Sequence, residues 1–114
     1  MSLQRIIKTL ESLGLKRVDA EVYIYLAKRG PQDRKEIADA LRIRRKQLSR
    51  VLKTLQNKGI MTIKFERSEL FSALAFKEAL DILVEVNMEQ ARVIKETKEE
   101  LLSSWRSMKW QENT

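Results

Sequence analysis

Residues 34–58 read RKEIADALRIRRKQLSRVLKTLQNK. Two helical patterns lie in this stretch, separated by Arg42-Ile43-Arg44. Just upstream, Asp33 stands three residues before Glu36, the spacing of a capping box with Asp in place of Ser or Thr. Ile37, Ala38 and Leu41 give the short helix that follows its apolar side. A further helix is predicted from there to about Lys58, where Gly59 can take the left-handed conformation that ends it. Ile43 falls where it would plug the corner. Two helices joined by a tight turn make a helix-turn-helix.

On a helical wheel of about 100° per residue, Leu48, Val51, Leu52 and Leu55 cluster on one side of the second helix. Lys46, Ser49, Arg50, Lys53 and Asn57 cluster on the other, with no acid among them. Most charged helix faces are merely solvated, and such faces usually mix both signs for i, i+4 pairing. This one does not.

The chain has 23 Lys and Arg against 16 Asp and Glu, a formal net charge of +7. Nine of the basic residues (Arg34, Lys35, Arg42, Arg44, Arg45, Lys46, Arg50, Lys53, Lys58) and only two acids (Glu36, Asp39) fall in residues 34–58. The whole net charge therefore sits in that segment, and the rest of the chain is neutral. Several of these cations crowd helix starts: Arg34 and Lys35 in one case, Arg44, Arg45 and Lys46 in the other. A helix N-terminus is partially positive, which disfavours each cation there by about 0.3–1 kcal/mol. A bound phosphate reverses that sign, because free backbone N–H groups and side-chain cations then converge on one anion. The pattern points to nucleic acid, with a solvated basic face as the bland alternative.

Working outward, Leu3, Ile6, Ile7, Leu10 and Leu13 have the spacing of an amphipathic helix that Gly14 ends. A second helix is predicted over Val18 to Arg29, burying Ala20, Tyr23, Ile24 and Ala27 with help from Val22 and Leu26. Gly30-Pro31 stops it. After Gly59, two alternating segments predict a β-hairpin: Met61, Ile63 and Phe65 share one face, and Leu70, Ser72 and Leu74 share another. Glu66 to Glu69 would be its loop. From Phe76 to Trp110 no Gly or Pro interrupts a long helical pattern. The fold class expected is mainly α with a small β-hairpin, a winged helix-turn-helix over 1–75, a long helix over 76–110 and a tail over 111–114.

Apolar residues make up 43% of the 114, enough for one compact domain with a protruding element. There is no Cys and no His, so no disulfide, no metal site and no cofactor are expected, and the commonest general base is missing. No glycine-rich phosphate loop is present, and the chain reads as a non-enzyme. No apolar run approaches the length of a membrane span, and no secretion signal opens the chain, so a cytoplasmic location is expected.

The last segment carries an imperfect heptad. Leu80, Asn87, Ile94, Leu101 and Met108 take one seam position, and Val84, Ala91, Lys98 and Trp105 the other. A buried Asn can fix register in a dimeric coiled coil. The alternative packs Leu80 to Val86 on the same chain and leaves the rest solvated; Trp105 and Met108 argue for a covering partner.

Leu13-Gly14-Leu15, Ala20-Glu21-Val22-Tyr23, Leu26 and Gly30-Pro31 resemble the opening of the TrmB family of archaeal transcriptional regulators. Lys35-Glu36-Ile37-Ala38, Ile43-Arg44-Arg45, Val51-Leu52 and Leu55 through Lys58-Gly59-Ile60 continue the resemblance, which covers about residues 10–95. It implies a winged helix whose fourth helix is the recognition helix. The chain departs from the family with Lys16 where a Ser-like cap is usual, with no capping residue near Arg44, and with Glu66 and Glu69 flanking Arg67 in a short wing, where such acids would repel a phosphate backbone. Larger members carry a C-terminal sugar-sensing domain for which these residues leave no room, so a small-molecule effector is not expected.

The expected function is sequence-selective binding of duplex DNA by a homodimeric transcriptional regulator. Arg45, Lys46, Ser49 and Arg50 are the candidate groove contacts, with Gln47 and Lys53 nearby. Arg34, Lys35, Arg44 and Asn57 are candidate phosphate contacts, and Lys64 and Arg67 candidates on the wing. A dimer would present two recognition helices to half-sites on successive turns. The rival reading is a winged helix used as a protein-interaction module in a transcription or chromosome-associated complex. Single-strand or RNA binding ranks lower, because residues 34–58 hold no aromatic side chain for base stacking.

Overall fold

The structure, a computed structural model, describes residues 2–109. Its elements are α1 (Leu3–Ser12), α2 (Arg17–Arg29), α3 (Arg34–Leu41), α4 (Arg45–Asn57), β1 (Met61–Phe65), β2 (Glu69–Ala73), α5 (Phe76–Glu96) and α6 (Lys98–Ser107). Four helices, an antiparallel hairpin and a helical C-terminal segment follow in the order the sequence predicts. Two compact units result, Met1–Val84 and one beginning at Glu85. The division falls inside α5, because its first turns bury Ala79 and Leu83 in the core cluster of the first unit.

In that unit the turns are set by backbone geometry that specific residues permit. Gly14 has φ +105° after α1; its N–H bonds the carbonyl of Glu11, and the N–H of Leu15 bonds that of Leu10. Gly59 repeats the motif after α4 at φ +79°, with Ile60 N–H on the carbonyl of Leu55. In both, the residue after the glycine is buried, as a Schellman turn requires. At α3, Asp33 Oδ1 accepts from the N–H of Glu36 at 2.8 Å, and Glu36 Oε1 accepts from the N–H of Asp33 at 2.9 Å. The predicted capping box is there. Between α3 and α4 the chain turns through Arg42, the one non-glycine among the described residues with positive φ (55°). Ile43 then packs against the core, plugging the corner as expected.

The core joins Ile7, Leu10 and Leu15 to Ala20, Val22, Tyr23 and Leu26, with Ile37, then Leu48, Val51, Leu52 and Leu55 of α4, and Ile60, Met61 and Phe71. The structure departs from three expectations here. Ala27 is exposed and Ile24 only half-buried; α1, α4 and β2 all pack on α2, and together they draw its buried stripe toward Val22 and Leu26. In β2 the core residue is Phe71, at 1% exposure, not the Leu70–Ser72–Leu74 face. The register explains it: Ile63 pairs with Phe71 and Met61 with Ala73, so these share the inner side. Glu69 pairs with Phe65 and belongs to β2, leaving residues 66–68 as the loop.

The second unit contains the rest of α5 and α6, and α6 buries nothing. The predicted long helix is interrupted at Thr97 (φ −101°, ψ 10°). There Thr97 Oγ1 donates to the carbonyl of Val93 at 2.9 Å, the same carbonyl that its N–H bonds. Such back-bonding by a β-branched residue bends helices. The predicted helix end at Trp110 and the tail over 111–114 lie outside the described residues. Among those described, no helix is long and apolar enough to cross a membrane.

Candidate nucleic-acid interface

α4 places its side chains as the wheel predicts. Leu48, Val51, Leu52 and Leu55 are buried, while Arg45, Lys46, Gln47, Ser49, Arg50, Lys53 and Asn57 are all exposed. Burial of the apolar stripe therefore fixes which face looks outward. Its N-cap, Arg44, supplies no side-chain hydrogen bond, and the first turn contains no acid. The first N–H groups of α4 are thus uncapped, with Arg44, Arg45 and Lys46 around them.

The start of α3 differs from that of α4. Arg34 and Lys35 also lie at a helix start, but Asp33 and Glu36 cap that start with two carboxylates. These offset the penalty for cations, so the unexplained positive end belongs to α4 alone.

Arg34, Lys35, Ala38, Asp39, Arg45, Leu48 and Ser49 line one cleft between α3 and α4. Within it Arg34 is engaged on three sides. Its Nε donates to Glu69 Oε1 at 3.3 Å, its Nη1 donates to Ser49 Oγ at 3.1 Å, and its guanidinium carbon lies 5.2 Å from the centroid of the Phe71 ring. The clamp joins α3, α4 and β2. It also occupies Glu69, one of the two acids expected to repel phosphate from the wing. Lys64 and Arg67 are exposed on the hairpin, as is Phe65 at 75%.

Glu69 and Phe71 were not among the sequence-derived candidates. They lie more than thirty residues from Arg34 along the chain, and no local spacing connects them. Of the residues picked for the C-terminal seam, Leu80 packs half-buried against the core of the first unit. Asn87 is half-buried, and Val84, Ala91, Ile94, Leu101, Trp105 and Met108 are exposed. Among the described residues no cluster of three or more carboxylates could hold a metal ion.

Solved structures share this fold. The archaeal chromatin protein TrmBL2, whose structure shows a novel mode of DNA binding, superposes with a TM-score of 0.68 at 21% identity. The match covers 96% of this chain and 46% of that one, so the chain spans about half the length of that relative. A MarR-like transcriptional regulator from Thermotoga maritima matches with a TM-score of 0.52 at 18% identity, over 95% of this chain and 99% of that one. Overoxidized AbfR bound to DNA matches with a TM-score of 0.53 at 18% identity, over 91% and 82%. At these identities the likeness establishes the winged-helix fold. No curated protein sequence matches the chain. The model of the sugar-specific transcriptional regulator TrmB matches residues 10–77, more than half of the chain. The chain belongs to the TrmB family of transcriptional regulators.

Proposed function

We propose that the protein binds duplex DNA sequence-selectively, as a homodimeric transcriptional regulator, with α4 in the major groove. The observation that carries this is the exposed face of α4: basic and polar, free of acids, opposite a fully apolar stripe and starting from an uncapped N-terminus. Guanidinium, ammonium, amide and hydroxyl groups on that face match the acceptors and donors of base edges. Lys46, Arg50, Lys53 and Asn57 form one stripe along it, and Arg45, Gln47 and Ser49 flank that stripe. Lys35 and Arg44 would hold phosphates at the helix starts, with Lys64 and Arg67 reaching from the wing. Solved winged-helix neighbours that bind DNA support the reading.

With about six phosphates engaged, the logarithm of affinity falls against the logarithm of salt concentration with a slope of about −5. A duplex titration at several salt concentrations measures it, and a flat response overturns the proposal. The exposed Phe65 beside Glu66 favours a second reading, a wing that docks a protein partner. Charge reversal at Arg45 and Arg50 separates the two, since it abolishes DNA binding and leaves a wing-docked partner in place.

A further inference from the structure

Ser49 lies on the exposed face of α4, one turn beyond Arg45. A serine hydroxyl has one proton to give and two lone pairs to receive, so on a reading helix it ordinarily serves either base-edge donors or acceptors. Its neighbours bias that choice toward donation here. Arg34 Nη1 donates to Ser49 Oγ at 3.1 Å, and Arg34 is itself fixed by Glu69 at 3.3 Å and by the Phe71 ring. One lone pair is therefore held by a cationic donor, which polarises the O–H outward.

The hydroxyl proton is also left over. Thr9, Ser12, Thr97 and Ser107 each donate theirs to the carbonyl four residues back. Ser49 makes no such bond among the described residues, although it too is helical.

We propose that Arg34 fixes Ser49 as a hydrogen-bond donor. At the base pair it meets, α4 then selects an edge presenting an acceptor (purine N7, guanine O6 or thymine O4) against the amino edge of cytosine. This rests on the reading of α4 as a major-groove helix. Arg34 is a positioning residue that sets specificity through Ser49, and its charge, already paired with Glu69, displaces no counterion from DNA.

The test selects bound duplexes from a randomised pool with the full chain, its S49A, S49T and R34M variants, and measures the salt slope of each. The wild type restricts one position to acceptor edges. S49A loses that preference by about tenfold at that position only, and S49T keeps it. R34M admits cytosine there while its salt slope stays that of the wild type. If R34M instead weakens all sequences equally and lowers the slope by about 1, Arg34 is a phosphate ligand and the proposal fails. Selection unchanged in both S49A and R34M also overturns it, and leaves the major-groove reading intact. A wild type that binds duplexes with no base preference overturns that reading and this proposal together.

Discussion

Phe71 exchanges both of its backbone hydrogen bonds with Gln32: the N–H of Phe71 bonds the Gln32 carbonyl at 2.8 Å, and the N–H of Gln32 bonds the Phe71 carbonyl at 3.1 Å. On its other edge Phe71 faces Ile63 of β1. β2 is therefore paired on both sides at this point, and the wing is tied to the turn that precedes α3. Tyr25 adds a side-chain bond, its hydroxyl donating to Gln32 Oε1 at 2.9 Å. The helix-turn-helix and the hairpin thus share one short backbone ladder, which keeps the base of the wing in register with α3.

Phe71 and Phe65 stand on the same hairpin with opposite burial, 1% against 75%. Phe71→Ala should lower unfolding free energy by about 3–5 kcal/mol, from lost transfer energy and the cavity it leaves. Phe65→Ser should change it by no more than about 0.5 kcal/mol. Urea denaturation of both variants is the check. Equal effects would mean that the hairpin does not pack as described.

Arg42 holds φ 55° at the turn between α3 and α4, a conformation that costs an L-residue about 1–2 kcal/mol. Glycine takes it freely but loses about 0.5–1 kcal/mol more chain entropy on folding. Arg42→Gly should therefore raise stability by about 0.5 kcal/mol, and Arg42→Val, with a β-branched side chain in the same place, should lower it by about 1 kcal/mol. Thermal melting of the pair decides; a drop with glycine would show that the Arg42 side chain holds the turn.

The helices were legible because each carries its own periodicity and its own stop: Gly14, Gly30 and Gly59 punctuate α1, α2 and α4 where the sequence places them. The outward face of α4 was legible for the same reason, since Leu48, Val51, Leu52 and Leu55 determine it. What could not be read is non-local. Gln32 sits in a four-residue connection with no strand signal, and its pairing with Phe71 depends on two chain segments meeting. The Arg34–Glu69–Ser49 clamp is likewise a product of tertiary packing. Sequence placed Glu69 in the loop as a repelling acid, while the fold makes it the partner of Arg34. The break at Thr97 is a local effect, but a single Thr in a helical pattern carries too weak a propensity to announce it.

Tyr23 donates its hydroxyl to the carbonyl of Leu74 at 2.7 Å, and burial, with a smaller contribution from the charge of Glu78, pushes its pKa up from 10.0 to about 12. The folded state holds this proton more tightly than the unfolded state. The stabilisation is complete below pH 10 and is lost as pH rises toward about 12, so the protein should lose stability over that window. Tyrosinate absorbance followed alongside circular dichroism should show Tyr23 ionising together with unfolding. Tyr23→Phe should cost about 1–3 kcal/mol at neutral pH, by leaving the Leu74 carbonyl unpaired, and should flatten the alkaline loss. Ionisation of Tyr23 well before unfolding would contradict the buried hydrogen bond.

In the second unit, Ile94 at 58%, Leu101 at 53%, Trp105 at 70% and Met108 at 55% exposure expose large apolar side chains to water along α5 and α6. Isolated exposed apolar residues are ordinary, but large apolar side chains exposed on both helices are what an interaction surface would present. A second copy of the chain is the partner proposed. Leu101→Asp combined with Trp105→Asp should then convert a dimer to a monomer in sedimentation equilibrium, while the first unit, which none of these residues enters, keeps its thermal transition. Duplex DNA with two half-sites should be bound about 100-fold more weakly by the monomer, because the second recognition helix is no longer tethered to the first. A single isolated half-site should be bound equally by both forms. A wild-type chain that sediments as a monomer at the concentrations used for DNA binding would remove the dimer from the account and leave the reading of α4 standing.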